Sequence, residues 1–508
     1  MKKYVLIFFA ICLLSISFAT EGKRRLPTGA TPPSEVPSTP SPRIQEILKA
    51  RGYDFSVKKP NRFRIKNAKG EYGFINDSGE VVIPPKFKDA NDFSEGLAAI
   101  KYYISWGYID TAGKIVIQCQ YEKANDFKDG FAKVKYFEEG EKDNKGISAL
   151  LADFSKIFTG DDYEYGLINK QGTVIVPAKT YNHIASKGFF SDLADYYFDD
   201  DLAVDNKIFN NGLAFVGKKI KGDTIKYGFI DQTGKLVIDC IYDDVYSFQN
   251  GLARVMKNGK WGIINTNNKW VVKPEYDFIG AFSESLANFR KDDNYGYLDM
   301  NGNIVIKPQF SKAQYFSEGL ARVKTKGAQG YSYIDKKGNI VFSLPSNVED
   351  ASAFSNGLAR IRIGRRYGYI DKTGKIVIPV QFQLAREFQD GLAQVGDIKG
   401  DTTKDYDNPF TVIFTNTIFD TTVIKYGLID KNGNYVVAKK YELIGAFVDD
   451  IALVKLNYRY GFIRRDGSYL VEPIFEYAES FKNGLAKVEL NGKEAYIDKT
   501  GRVVWQQQ

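Results

Sequence analysis

An internal repeat constrains this chain more than any other feature of its sequence. An aromatic residue followed by glycine recurs at Tyr72, Trp106, Tyr165, Tyr227, Trp261, Tyr295, Tyr367, Tyr426 and Tyr460. Degenerate copies stand at Tyr331-Ser332 and Glu494-Ala495. Undisturbed copies are 34 residues apart; two intervals are 36, and three stretch to 59, 62 and 59 where something is inserted. A chain of 508 residues has room for three or four ordinary domains, but a repeat of this period replaces them with one extended array.

The repeat spells out its own turns. Seven residues after each aromatic comes Gly79, Gly113, Gly172, Gly234, Gly302, Gly338, Gly374, Gly433, Gly467 or Gly501, with Asn268 in the remaining copy. Asp or Asn stands three residues earlier in every copy but one, where Arg464 takes the place. Asp-x-x-Gly between apolar runs is a turn: the carboxylate accepts from the following backbone N–H groups, and glycine takes the left-handed position. Each copy is thus a β-hairpin, as in Tyr367 to Ile378, often closed by a proline such as Pro84, Pro308 or Pro379.

A second landmark, Phe-x-x-Gly-Leu-Ala, precedes a third short strand. Its Phe and Ala stay five apart in ten copies, from Phe93 and Ala98 to Phe481 and Ala486. Such a unit is too small to hide its own rings, and burying one Phe contributes about 1.5–3 kcal/mol. Stacking on neighbours supplies that burial, and the small Ala marks where neighbours approach. The expected fold is an all-β repeat protein of about eleven three-stranded units in a β-solenoid-like or superhelical array. Propeller-like closure is the alternative, disfavoured because a blade usually has four strands and rings rarely exceed eight blades.

Aromatic-Gly, Ile-Asp-x-x-Gly-Lys-Ile-Val-Ile-x-Pro and Phe-x-x-Gly-Leu-Ala-x-Val together resemble the WG-repeat (KWG-repeat) family of bacterial proteins. The resemblance spans residues 61–505, although only Trp106 and Trp261 keep the tryptophan of the family name. It implies a bacterial, often exported, β-rich repeat protein and says little about ligand.

The N-terminal region points outside the cytoplasm. Lys2 and Lys3, the apolar run Val5 to Leu14 and the small residues of Ser17-Phe18-Ala19 read as a signal peptide over residues 1–19. The apolar run is short of the roughly 20 residues of a membrane span. Residues 20–42 are a Pro/Ser/Thr-rich linker, and 43–60 a short capping helix with Ile44, Ile47 and Leu48 on one face. The array fills 61–508. Insertions fall near 136–164, 182–208 and 396–425, the first and last in the same slot of the repeat. The expected location is periplasmic, cell-surface or extracellular. Cys119 and Cys240 occupy equivalent positions in different repeats, too far apart for a disulfide, and are expected as free buried thiols.

Little in the sequence carries chemistry. A net charge of +8 is spread as alternating signs, and the densest basic spot, Arg360, Arg362, Arg365 and Arg366, lies in one repeat rather than along a nucleic-acid stripe. The single histidine, His183, rules out a His–His metal site. Turn carboxylates such as Asp110, Asp231, Asp299, Asp371 and Asp498 recur too regularly to be a catalytic pair. Asp199-Asp200-Asp201 lacks the glycine and glutamate of a calcium loop. No cofactor or metal is expected, and no enzyme. Trp106 and Trp261 are the candidate ligand-stacking residues. The expected function is a secreted, non-enzymatic scaffold that binds protein or cell-envelope glycan, without nucleic acid and without spanning a membrane. The alternatives are a passive structural envelope protein or a carboxylate-dependent hydrolase.

Overall fold

The computed structural model describes residues 60–137, 163–185, 207–222, 224–398 and 424–508, which contain β-strands and no helix. The expected signal peptide, linker and capping helix, up to residue 59, and most of the three insertions lie outside the described residues.

The array is all-β, as the repeat requires, but its unit has four strands rather than three. In the unit at 244–276 they are Asp244–Val245, Leu252–Lys257, Lys260–Asn265 and Trp270–Tyr276, antiparallel and in sequence order. The first strand is two residues long, too short to leave a periodic signature. Eleven such units follow one another, the first lacking its short strand. Twice the last strand runs on to become the first strand of the next unit, as Ile115–Ala124 and Ile304–Ala313, fusing two units into a seven-stranded sheet.

The aromatic-Gly pair has a local cause. Trp106 faces Tyr121, but Tyr108, two residues on, faces Ile117, four residues back, so the returning strand bulges at this point. A Cβ on Gly107 would stand 2.6 Å from the Ile117 carbonyl and 2.7 Å from the Cys119 nitrogen. Only glycine lets that bulge pass. The degenerate copies fit the reason: Ser332 pairs directly with Ser343 and Ala495 with Gln506, and the register shifts only later, after Tyr333 and Tyr496. The turns form as read. The Asp110 carboxylate accepts from the amides of Ala112 and Lys114, and Gly113 has φ 81°. Phe-x-x-Gly is a two-residue hairpin turn, with Ser94 bridging Leu97 and Glu95 and Gly96 both at positive φ (52° and 88°).

Units hold one another by the rings they cannot bury alone. The aromatic two residues beyond aromatic-Gly meets the Phe of the next unit's Phe-x-x-Gly. Tyr108–Phe127, Phe229–Phe248, Tyr297–Phe316 and Tyr369–Phe388 have centroids 4.8, 4.8, 4.9 and 4.9 Å apart, edge to face or tilted. The tyrosine hydroxyls then donate to carbonyls of that next unit: Tyr108 to Asn125, Tyr297 to Gln314, Tyr333 to Ser352 and Tyr369 to Arg386, at 2.6–2.8 Å. The invariant Ala is buried throughout, from Ala98 to Ala486. Each turn glycine settles on the last strand of the preceding unit, as Gly113 does on Ile83 and Gly172 on Ile117.

These junction contacts also join the two ends. Gly79 of the first unit lies on Val504 of the last, Phe63 packs 5.7 Å from Tyr496, and the Tyr496 hydroxyl donates to the Arg64 carbonyl at 2.7 Å. Gln507 donates to Lys66 and Asn61 to Asn483, around a shared cluster of Phe63, Ile65, Ile75, Leu485 and Tyr496. The array therefore takes the closed form, a ring of separate small sheets rather than one barrel sheet. The expectation against closure rested on a three-stranded unit and on common blade numbers. The extra two-residue strand removes the first objection, and the end contacts answer the second.

Two expectations follow. Tyr297→Phe and Tyr496→Phe each remove one junction hydrogen bond and should each cost about 1 kcal/mol in denaturant unfolding. If the ring is open in solution, only the Tyr297 change will register. Glu442, with its side chain 1% exposed, is pushed towards neutrality by burial. Lys425 at 2.9 Å and the amides of Tyr458 and Asn457 prevail and hold its carboxyl below the ordinary range. Its stabilisation is then present above the unfolded carboxyl value of about 4.3 and is lost as pH falls through the lower folded value. Glu442→Gln should cost about 1–3 kcal/mol at neutral pH, with the gap to the parent narrowing in acid denaturation profiles.

Candidate functional site

The aromatic-Gly column is not an open ladder of rings. Tyr227, Trp261, Tyr367 and Tyr426 are buried, and Tyr72, Trp106, Tyr165, Tyr295, Tyr331 and Tyr460 are half-buried. Every complete copy but Tyr165 faces an aromatic across the bulge, for example Tyr72 and Phe87, Trp261 and Tyr276, or Tyr295 and Phe310. Cations from the second strand lie over many of these rings: Arg64 over Tyr72 at 5.5 Å, Arg322 over Tyr331 at 4.5 Å and Arg360 over Tyr367 at 4.9 Å.

The expected stacking residues lie within this packing. Trp261 is 8% exposed, packed among Ile263, Val272 and Tyr276 with Tyr246 at 5.3 Å, so its face is not offered to a ligand. Trp106 is half-buried against the cluster around Tyr108 and Tyr121. The two belong to different units and the structure does not bring them together.

The remaining candidates find structural work. Asp371 accepts from the Thr373 hydroxyl and from the amides of Thr373 and Lys375, which hold its carboxyl below the usual range. The arginine group is dispersed: Arg360 bonds the Ala385 carbonyl and pairs with Glu387, Arg362 pairs with Glu349, and Arg366 bonds the Gln381 carbonyl. His183 is buried in the two-residue strand His183–Ile184, 5.8 Å from the Tyr227 ring. Cys119 and Cys240 are free as expected, though half-buried rather than buried; burial raises both thiols, Cys240 to about 11. Among the described residues no group of three or more His, Cys, Asp or Glu is placed to hold a metal, and no helix is long and apolar enough to cross a membrane. The Asp199-Asp200-Asp201 cluster lies outside the described residues.

The non-repeated parts sit in defined places. Residues 138–162 leave from Phe137, after Phe131–Tyr136, and return at Tyr163, before Tyr165–Asn169. Residues 399–423 join Ala393–Ile398 to Ile424–Ile429. Both fall in the sequence between the second and third strands of their units. Residues 186–206 instead follow the short first strand His183–Ile184 and precede the second strand Leu213–Lys221.

Some junctions carry a side-chain bridge. Arg64, Arg254, Arg322 and Arg360 each reach from the second strand to a carbonyl of the next unit: Ala90, Ile279, Ala351 and Ala385. In the unit at 278–310 this place is held by Asn288, whose shorter side chain donates to Ala313 at 2.8 Å. A cleft of about 400 Å³ opens beside it, between that unit and the next. Arg290, Tyr295, Lys312, Gln314, Arg322 and Tyr331 line it. Nothing in the sequence flagged these residues, although Tyr331 begins a copy that has lost its glycine.

Sequence comparison agrees with the geometry. A family model described as WG containing repeat matches ten segments: 72–102, 106–136, 165–194, 227–261, 261–295, 295–327, 331–366, 367–396, 426–460 and 460–493. No protein of curated function matches the chain. Among solved structures, a eukaryotic initiation factor is 10% identical, over 75% of this chain and 95% of its own, with a TM-score of 0.34. Virginiamycin B lyase from Staphylococcus aureus is 12% identical over 49% of this chain and 89% of its own, with a TM-score of 0.25. Likenesses this low carry no argument about fold or activity. The ten matches cover well over half of the sequence, and the chain belongs to the WG-repeat family.

Proposed function

We propose that this WG-repeat protein is exported and serves as a non-enzymatic scaffold of the cell envelope, capturing a protein or a glycan. The observation that carries the reading is a division of labour along the chain. What repeats is consumed in turns, bulges and junctions: the rings pack, the turn carboxylates cap amides, and the arginines bridge units. What does not repeat, residues 138–162 and 399–423, enters the same slot of the repeat twice, and insertions of a repeat array often gather on its binding face. The carboxylates of the described turns are taken up by neighbouring N–H groups, which argues against hydrolysis by a carboxylate pair.

A pull-down of the mature protein against envelope fractions and purified peptidoglycan tests the reading. Deleting 138–162 and 399–423 should abolish capture while the β-sheet signal in circular dichroism persists. Capture that survives both deletions would overturn the binding role of the insertions, and no capture by the parent protein would leave a passive structural role. The export half of the reading makes its own forecast. N-terminal sequencing of protein secreted by a bacterial host should begin at Thr20, directly after Ala19; an intact Met1 in the cytosolic fraction would refute it.

A further inference from the structure

A cleft lies between the units at 278–310 and 312–343, lined by Tyr331 of the copy in which Ser332 replaces the bulge glycine. Its volume of about 400 Å³ is that of a small-ligand site.

The lining is cationic and polar. Arg290, Lys312 and Arg322 contribute three positive charges, against the single carboxylate of Asp293. Arg322 is already engaged by Asp350 at 2.5 Å, by the Ala351 carbonyl and by the Tyr331 ring. Arg290 is not so committed. Its guanidinium lies 6.0 Å from the Tyr295 centroid, with Asp277 within its field and a buried Nε that has no hydrogen-bond partner among the described residues. Lys312 is exposed at the same cleft. Beside these cations stand the Ser311 hydroxyl, which donates to the Lys324 carbonyl at 3.0 Å and keeps its capacity to accept, and the Gln314 amide.

We propose that this cleft binds a carboxylated sugar unit, with the carboxylate on Arg290 and Lys312 and the sugar hydroxyls on Ser311 and Gln314. A planar guanidinium matches a carboxylate. Two uncommitted cations beside Asp293 suit one negative charge better than the dianion of a phosphate. Hydroxyl and amide groups suit a polyol, and the edges of Tyr295 and Tyr331 enclose it. This rests on the binding-scaffold reading and names the ligand class of one site within it.

Calorimetry and saturation-transfer NMR on the intact mature protein, with D-glucuronate, D-glucose and inorganic phosphate, test the assignment. Glucuronate should bind, with glucose and phosphate at least about tenfold weaker, and Arg290→Gln and Lys312→Gln should each weaken glucuronate about tenfold. Lys312 is exposed, so its variant keeps the test open if the Arg290 variant misfolds. Phosphate binding as tight as glucuronate, no glucuronate binding, or indifference to both substitutions would overturn the proposal. Envelope capture by a parent protein that ignores glucuronate would refute the cleft alone and leave the scaffold standing.

Discussion

The molecule depends on one contact made again and again: a ring of one unit set against the Phe of the next, with a tyrosine hydroxyl bonded across the same junction. Remove it and no unit has a core. A four-stranded sheet of about thirty residues buries too little apolar surface to offset the entropy of ordering it. The glycine of aromatic-Gly serves this contact indirectly. By letting the returning strand bulge over Gly107 and its counterparts, it sets the last strand where the next unit's turn glycine can rest upon it. Local backbone chemistry and long-range packing are thus two halves of one device.

Much of this was legible in the residues because it is local. Asp110 and Gly113 announce a turn whose hydrogen bonds lie within four residues, and the structure contains it. The burial of Ala98 through Ala486 was legible from their constancy of size. The Asp244–Val245 strand was not, since two residues hold no alternation. Closure was not legible either. It is a relation between Phe63 and Tyr496, more than four hundred residues apart, and depends on the small rotation from each unit to the next, which no single unit encodes visibly. The surroundings of the candidate tryptophans were not legible for a related reason: a ring beside glycine reads the same in sequence whether a cation, a neighbouring ring or water lies over it.

The site shows the opposite balance. Repetition identifies what is structural so thoroughly that the informative residues are the exceptions, and single exceptions carry weak sequence signals. Asn288 is an ordinary residue in an ordinary strand. Its meaning comes from comparison with the arginines that bridge units from the corresponding place at four other junctions.

Closure also bears on how such a chain can change. An open stack lengthens by copying a module at either end, because a new terminus meets the same surface as the old. A ring has no vacant surface to receive another module; an added or lost copy would force every angle around the circle to readjust or part the seam at Tyr496 and Arg64. Variation is thereby channelled away from module number and into the hairpin tips, which lengthen freely without disturbing the circle. Two tips in this chain have already done so.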